Sequence, residues 1–557
     1  MNRIVSCFNI FGLLLTGLLF IGAGGTAWAQ DANHVCRVTP AGTTINNGAD
    51  WAHPMKMVTA LNQPNCWEIW VAQGLYYADS YPYSFFIRPA ARVYGGFAGN
   101  ETSNTQRDPV AHLTVLSGDR DHNDTSDANG IDQTVSAIKG TNSQIVVTMQ
   151  PSPGNPITAS TVLDGFTITG GNGLPTNNYG AGLMCSGSGN NSQCSPTLNR
   201  LVFVGNEAYI GGAMYLDGGN HGASSPAISN SVFRNNVATD PSSIAWGGAI
   251  YCNANTSGIC TPTLTNVLFS NNQADGYGGA IFNDAEYAGN ASPILNNVVF
   301  DGNSTGYQGG AMLNYGYGGI SSPSMYDVTF SNNSAGSFGG ALTNEGIKDS
   351  SGNMGTSNPV LSNVTFFNNS VNNFGGAIAN VSYNTGSVSL TLMNVTLSGN
   401  RGGQTGGAIY STGALGTGVG IINAKLTNVI LYGNTATNGS NIYIDNSNNS
   451  TVKTNIDYSI VQNGDASIGF KVGTSTLYAS GILNLNGNPL LSPLGNNGGF
   501  TPTMAPGPGG VAINTGTCTG APPLDQRGVA RPNGPGCDIG AVEAMPDAIF
   551  VNGFESH

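Results

Sequence analysis

The sequence predicts an all-β fold, a single-stranded right-handed parallel β-helix with atypical N- and C-terminal caps. Two repeated elements predict it, because each recurs every 30 to 36 residues, a period typical of solenoids. A Gly-Gly-Ala element, with a degenerate copy at Gly180, begins at Gly211, Gly247, Gly278, Gly309, Gly339, Gly375 and Gly406. A Phe/Leu-x-x-Asn element ends at Asn206, Asn236, Asn272, Asn303, Asn333, Asn369, Asn400 and Asn434.

Each repeat carries short segments whose apolar residues alternate at the two-residue period of a strand. Val298 and Phe300 share one face, and Ile281 shares a face with Asn283. The position of Ile281 is apolar in the other copies too: Leu183, Met214, Ile250, Met312, Leu342, Ile378 and Ile409. Strands this short cannot bury a face alone, so the copies must stack as rungs about 4.8 Å apart. Crossovers between parallel strands are right-handed, which sets the hand of the helix.

The composition excludes one large class of function. Only 8% of the 557 residues are charged, against roughly 25% in an average globular protein. The formal net charge is −13, whereas nucleic-acid binding needs a basic face. We therefore expect no nucleic-acid partner.

The first 29 residues have the pattern of a secretory signal peptide. Arg3 supplies a positive charge, Phe8–Ile21 is an apolar core, and Ala27–Ala29 is a small-x-small cleavage site. The apolar core is shorter than the ~20 residues that a transmembrane helix needs. We therefore expect an exported chain whose mature part has no membrane-spanning segment.

The rest of the chain divides into three regions and a tail. We expect an N-terminal cap and first coils over residues 30–160, a repeat β-helix over 161–465, a C-terminal region that caps the exit over 466–545, and a tail over 546–557. Near the N-terminal end, the spacing of apolar residues in Trp51–Leu61 predicts a short helix. Strands are predicted at Glu68–Ala72, Arg92–Phe97, Thr141–Met149 and Val162–Ile168.

Eight cysteines follow residue 29, and an even number in an exported chain predicts disulfides. Cys185 and Cys252 occupy the same repeat position two rungs apart, about 9.6 Å, which exceeds the ~7 Å that a disulfide allows between Cα atoms. Cys194 and Cys260 both stand two residues before the proline of their repeat. The predicted pairs are therefore Cys185–Cys194 and Cys252–Cys260 and, by proximity, Cys36–Cys66 and Cys518–Cys537.

An asparagine column is predicted two positions after the inward apolar residue. Asn283, Asn314, Asn344 and Asn380 fall in register there, and stacked amides would hydrogen-bond from rung to rung. The loop between this position and the repeat's proline varies most in length and character. Such insertions lie on one side of a solenoid, often the binding side.

Aromatic residues also recur at rung spacing. The residue after the inward apolar position must point outward, and it is Tyr215, Tyr251, Phe282 or Tyr410 in several copies. A second column before Gly-Gly comprises Tyr209, Trp246, Tyr277, Tyr307, Phe338 and Phe374. These rings either bind sugar rings or partner side chains, or pack beneath the loops and on one another. The candidate binding residues are Tyr215, Tyr251, Phe282 and Tyr410.

A catalytic centre is not evident. A lyase needs basic residues near Ca²⁺-binding carboxylates, but the basic residues between Gly180 and Asn434 share no register. A hydrolase needs paired carboxylates, and the acids of the repeats lie at different positions: Asp275, Asp284, Glu286, Asp301 and Asp327. We therefore name no catalytic and no cofactor-binding residue.

One acidic cluster precedes the repeats. It comprises Asp119, Asp121, Asp124 and Asp127, with His122 among them. Such carboxylates can bind Ca²⁺, but spacing alone is a weak signal for a metal site, and a solvated turn is the preferred interpretation.

The repeat in FSNNQADGYGGAI (Phe269–Ile281) and FSNNSAGSFGGAL (Phe330–Leu342) resembles that of the chlamydial-type polymorphic outer membrane proteins. This resemblance implies a pectin-lyase-like β-helix at the cell surface. The block Asn488–Glu543, with DQRGVARPNGPGCDIGAVE, is similar to the choice-of-anchor Q domain of secreted bacterial β-helix proteins. The N-terminal segments EIWVAQGLYY and VYGGFAGNETSNTQRDP are similar to the same proteins. The implied location is the outer membrane surface or the extracellular space.

The expected function is that of an exported scaffold for adhesion or for binding a cell-surface glycan or protein through its loops and outward aromatic residues, without catalysis. The alternative is a polysaccharide lyase or glycoside hydrolase, because the pectin-lyase-like fold hosts both. Fold alone does not decide between them.

Overall fold

A computed structural model describes residues 35–78, 83–174, 179–240, 244–416, 418–447, 450–471, the backbone of 476–480, and 487–545. The predicted signal peptide and the tail lie outside the described residues. No helix among the described residues is long and apolar enough to cross a membrane.

The chain forms three long parallel sheets, which confirms the right-handed parallel β-helix. The strands of the first sheet are Val35–Thr43, Glu68–Ala72, Gly74–Tyr77, Arg92–Phe97, Thr114–Ser117, Val162–Asp164, Thr167–Thr169, Thr197–Asn199, Val202–Val204, Ala227–Arg234, Thr263–Ser270, Ile294–Asp301, Ser324–Ser331, Thr356–Ser357, Val360–Phe367, Ser387–Ser398, Ile421–Tyr432, Thr451–Asp457, Ile460–Val461 and Thr476–Ser480.

The other two sheets have shorter strands. Those of the second sheet are Phe85–Phe86, Val147–Met149, Leu183–Ser186, Met214–Asp217, Ile250–Asn253, Ile281–Glu286, Met312–Tyr317, Leu342–Ile347, Ile378–Tyr383, Ile409–Leu415, Ile442–Asp445 and Ile468–Lys471. Those of the third sheet are Glu207–Ala208, Val237–Ala238, Gln273–Ala274, Ser304–Thr305, Ser334–Ala335, Ser370–Val371 and Arg401–Gly402.

The core lies inside the coil and is built from equivalent residues of successive rungs. Phenylalanines of the first sheet stack with ring centroids 4.7 to 4.9 Å apart and planes within 12° of parallel. All are fully buried: Phe203, Phe233, Phe269, Phe300, Phe330 and Phe366. Ile281 pairs with Ile250 on one side and with Met312 on the other, as the repeat spacing predicts.

Glycine and asparagine make the corners of each rung. The first glycine of each Gly-Gly-Ala element has φ between 59° and 74°, a left-handed conformation that side chains disfavour. The second glycine approaches the next rung closely, since a Cβ on Gly279 would lie 2.1 Å from the oxygen of Gly310. Asparagines turn the first sheet at φ between 49° and 56°, because asparagine tolerates this region: Asn230, Asn266, Asn297, Asn363, Asn394 and Asn428.

Two asparagine ladders run along the inside of the coil. The predicted ladder is confirmed, with amide-to-amide distances of 2.8 to 3.0 Å from Asn283 to Asn380. A longer ladder, which the sequence analysis treated only as a repeat marker, runs through Asn206, Asn236, Asn272, Asn303, Asn333, Asn369, Asn400 and Asn434. From Asn236 onward, each Oδ1 accepts both the backbone N–H and the side-chain amide of the preceding rung's asparagine, as Asn303 does for Asn272 at 3.0 Å.

The N-terminal coils follow the predictions in part. The strands Glu68–Ala72 and Arg92–Phe97 form as predicted, whereas the helix covers only Met57–Asn62. The predicted strand Thr141–Met149 is reduced to Val147–Met149. The predicted strand at Val162–Ile168 is interrupted at Gly165, whose φ of 87° ends the first part. Short 3-10 turns lie at Asn104–Gln106, Val135–Ala137 and Gly464–Ser467.

The C-terminal region folds back along the side of the coil, rather than only closing its exit. Within the described residues 487–545 there is no helix or extended strand. Gln526 bridges two rungs, since its Nε2 donates to Thr329 Oγ1 at 2.8 Å and its Oε1 accepts from Thr365 Oγ1 at 2.7 Å. Asn428, one rung beyond Asn394, donates to the oxygen of Thr517 at 2.7 Å. The region therefore covers part of the outer face of the first sheet.

Candidate functional site

The outer face of the second sheet carries the predicted aromatic column. Tyr215, Tyr251 and Phe282 pair in register along successive rungs, and Tyr410 continues the column after smaller residues. The rings of Tyr215 and Tyr251 stack at 5.5 Å, and those of Tyr251 and Phe282 lie 5.3 Å apart. The predicted outward direction and register are therefore correct.

Of the two interpretations of these rings, the structure agrees with the second, in which they pack on one another. Tyr215, Tyr251, Phe282 and Tyr410 are between 5% and 9% exposed, because a second column leans over them. In register, that covering column reads Tyr179, Ile210, Trp246, Tyr277, Gln308, Phe338 and Phe374. The prediction placed Tyr209 and Tyr307 in it, one residue too early. The four candidate residues therefore pack within the protein, so replacing Tyr215 and Tyr251 by alanine would act through stability.

A line of polar side chains runs beside the aromatic column on the same outer face. In register it reads Asp217, Asn253, Asp284, Tyr315 and Glu345. The Tyr251 hydroxyl donates to Asp284 Oδ2, whereas Asp284 Oδ1 has no partner. Burial and the neighbouring Glu286 raise the pKa of Asp284. Asp284 and Glu286 lie two residues apart on one strand, so two of the acids that the sequence analysis kept separate are neighbours on one face.

Glu345 is the acid that the sequence analysis missed. Its side chain is 3% exposed, and burial raises its pKa to about 8. Gln308 lies against the Glu345 carboxyl group, and one oxygen of each side chain lacks a partner. Glu345 comes directly after Asn344, which belongs to the inner asparagine ladder. Because neighbouring residues of a strand point to opposite faces, the repeat register predicts that Glu345 points outward. Its burial depends on the surrounding side chains, which the spacing does not reveal.

We expect the Glu345→Gln variant to be more stable than the wild type at pH 7, by on the order of 3 kcal/mol. Glu345 keeps its proton up to about pH 8 when folded, whereas the unfolded chain loses it near 4.5. The folded state therefore binds more protons between these values, and wild-type stability falls as pH rises from about 4.5 to about 8. Urea denaturation across this pH range measures the effect. The exposed Asp465→Asn variant serves as control, and a Glu345→Gln profile parallel to the wild type would contradict the expectation.

The four predicted disulfides are present. Their Cα–Cα distances are 5.4 Å for Cys36–Cys66, 5.6 Å for Cys185–Cys194, 5.7 Å for Cys252–Cys260 and 5.4 Å for Cys518–Cys537. Leu216 pairs with Cys185 on one side and Cys252 on the other, so these cysteines lie two rungs apart as predicted.

The acidic cluster of the N-terminal coils is partly used to fold its own loop. Asp119 accepts from the backbone of Asn123 and Asp124, and Asp121 accepts from the backbone of Thr141. Of the remaining members of the cluster, some hold the loop together and one points toward the interior. Asp127 accepts from the backbone of Asn129, His122 stacks on Tyr77 at 3.7 Å, and Asp124 turns inward. Among the described residues, no group of three or more His, Cys, Asp or Glu side chains has the geometry of a metal site.

The corner between the second and first sheets, where the variable loops lie, carries exposed apolar side chains. Ile259 is 45% exposed, Tyr287 39%, Ile320 49% and Met354 52%. Ile259 and Ile320 both pair with Asn290, from opposite sides, so they lie two rungs apart in one column. The ring of Tyr287 meets that of Tyr317 edge-on at 5.4 Å. We call Ile259, Tyr287, Ile320 and Met354 the loop strip.

Comparison with known families identifies the repeat. Four segments match the family model of the Chlamydia polymorphic membrane protein repeat: residues 230–253, 266–284, 327–345 and 394–412. The predicted resemblance of the repeat is confirmed. Each segment runs from the asparagine or aspartate corner of the first sheet, through Gly-Gly-Ala, into the second sheet. This repeat occurs in surface-associated outer membrane proteins. The four disulfides fit an exported chain. A search of curated proteins found no match.

Proposed function

We propose that the protein is a surface-exposed β-helix scaffold that binds a cell-surface glycan or protein through its loop strip, without catalysis. The predicted signal peptide and choice-of-anchor Q region are part of this proposal, because export and attachment at the outer membrane surface would present the loops to a partner.

The observation that supports binding is the concentration of exposed apolar side chains on the variable loops. Four such residues lie along one corner of consecutive rungs, where they are not covered by the C-terminal region. Ile259 and Ile320 flank Asn290 in one column, and exposed apolar residues grouped on one corner mark interaction sites more than scattered ones do. Tyrosine adds a rigid ring that stacks on sugar rings or on partner side chains. The loop strip therefore replaces the buried aromatic column as the candidate contact surface.

Binding of the secreted chain to arrays of glycans and of cell-surface proteins tests the proposal. The variant Ile259→Ser/Tyr287→Ser/Ile320→Ser is expected to lose on the order of 10-fold or more in affinity, because apolar anchors dominate interface energies. The control variant Ile45→Ser/Val110→Ser removes exposed apolar side chains far from the strip. Equal loss in both variants, or unchanged binding by the triple variant, would contradict the proposed surface.

A glycoside hydrolase is the second candidate, and one observation favours it. Asp284 and Glu286 share one outward face, and the pKa of both is raised by burial. A raised pKa suits a general acid, and two carboxyl groups are what glycoside hydrolysis needs. However, Asp284 is only 5% exposed beneath the covering column. Release of reducing ends from polysaccharides, abolished by Asp284→Asn, would establish this candidate in place of a non-catalytic scaffold.

A further inference from the structure

Two carboxyl groups, that of the half-buried Asp124 and that of the fully buried Asp132, meet beneath the loop of residues 119–142. Asp124 belongs to the acidic cluster, whereas Asp132 was not singled out from the sequence. A Cβ placed on Gly170 would lie 2.6 Å from Asp132 Oδ2 and 3.3 Å from Asp124 Oδ2, so both oxygens border the same point. Asp132 is fully buried. Glycine at position 170 leaves the space between these oxygens free of a side chain.

The hydrogen bonds around the pair leave two oxygens without a donor. Asp124 Oδ2 accepts from Asn142 Nδ2 at 2.6 Å, and Asp132 Oδ1 accepts from Ser126 Oγ at 2.7 Å. Asp132 Oδ2 and Asn142 Oδ1 are buried and have no partner. Unpaired buried oxygens are costly, and a bound cation would satisfy them.

No positive charge balances the two carboxylates. Among the ion pairs of the described residues, none includes Asp124 or Asp132. The groups that face them are Asp119 and the phenol of Tyr77, on which His122 stacks. Burial raises the pKa of both carboxyl groups, and the adjacent Asp124 and then Asp119 raise that of Asp132 further. Two adjacent carboxylates, one of them fully buried, need either a shared proton or a cation.

We propose that Asp124 and Asp132 bind a Ca²⁺ ion, with further oxygen ligands from the adjoining amide and hydroxyl groups and from water. Ca²⁺ accepts six to eight oxygen ligands in irregular arrangements, whereas Mg²⁺ demands a near-ideal octahedron. The proposed site has only two carboxylates. It is therefore compatible with the finding that the described residues contain no group of three or more His, Cys, Asp or Glu side chains suited to a metal ion. The ion would fasten the loop to the first-sheet strand Thr167–Thr169, since Asp132 N already donates to Thr169 Oγ1 at 3.0 Å.

Titration of the full secreted chain with CaCl₂ at pH 7.5, after removal of metal with a chelator, tests the site. We expect one saturable site with a Kd at or below about 1 mM, as in extracellular Ca²⁺ modules, and a higher Tm with Ca²⁺ than with chelator. Asp132→Asn should weaken binding by about 10-fold or more. Asp121→Asn, a change in the same loop that keeps an acceptor for Thr141, should bind as the wild type does.

Two results would overturn the site. One is the absence of saturable binding up to about 10 mM CaCl₂, ten times the weakest expected Kd, with stability that depends on pH alone. That result would assign the pair a shared proton. The other is binding that Asp132→Asn leaves unchanged. If Asp132→Asn fails to fold, Asp124→Asn provides the same comparison, and circular dichroism establishes that either variant is folded.

Discussion

Replacing Asn303 by alanine is expected to destabilise the middle of the coil by at least about 3 kcal/mol. The Asn303 Oδ1 accepts from the backbone and the side chain of Asn272, both at 3.0 Å, and its Nδ2 donates to Phe269 O and Asn333 Oδ1, both at 3.0 Å. Alanine removes these partners but leaves the other groups buried. Each buried donor or acceptor left unsatisfied costs about 1–3 kcal/mol.

Hydrogen exchange of backbone amides is the appropriate measurement, because long repeat arrays need not unfold in one step. Faster exchange should centre on the rungs that contain Asn272, Asn303 and Asn333 and decline with distance along the coil. Asn129→Ala, a change at an exposed turn, serves as control. Protection factors equal in the two variants would show that the ladder contributes little to stability.

Breaking the buried ion pair of the C-terminal region is expected to cost about 3–5 kcal/mol. The Arg531 guanidinium and the Glu543 carboxylate are 0% and 1% exposed, and Glu543 also accepts from the backbone of Asn533 and Asp538 at 2.9 Å. In Arg531→Met the Glu543 carboxylate stays buried without its cation. Arg531 Nη2 also lies 3.4 Å from Asn363 Oδ1 on the first sheet, so the contact of this part of the region with the coil should weaken.

Limited proteolysis within residues 487–545, together with denaturant titration, measures this effect. The double variant Arg531→Met/Glu543→Gln should recover part of the lost stability, because it removes the unpaired charge. The pair Lys471–Asp445, whose lysine is exposed, provides a comparison, since Lys471→Met should cost less than about 1 kcal/mol. Arg531→Met with the cleavage rate of the wild type would contradict a structural role for this pair.

The repeat register could be predicted from the sequence because backbone geometry alone fixes it. The intervals between Gly-Gly-Ala elements placed Ile281, Asn283 and Phe282 on their correct faces, and the same register gave the Cys185–Cys194 and Cys252–Cys260 disulfides.

Burial on the outside of the coil could not be predicted in this way. It depends on which side chains lean over a column, and Trp246 and Tyr277 cover Tyr251 and Phe282. Tyr307 was misplaced because one additional residue, Gln308, separates it from Gly309.

The contacts between the C-terminal region and the coil could not be predicted from the sequence either. Gln526 meets Val328 and Thr329 across nearly 200 residues, and no spacing rule links them. Within DQRGVARPNGPGCDIGAVE, the buried polar side chains are engaged in hydrogen bonds and ion pairs, as Asp525 is with Arg527. The charged residues of this motif therefore contribute to the packing of the region.

The most direct test of a non-catalytic binding scaffold measures binding and turnover in the same samples. Glycans and polysaccharides retained by the secreted chain are recovered and analysed for new reducing ends and for unsaturated products. We expect a retained ligand that is chemically unchanged, with retention lost in Ile259→Ser/Tyr287→Ser/Ile320→Ser. Multiple turnover that is abolished by Asp284→Asn would contradict it and would place the function on the outer face of the second sheet.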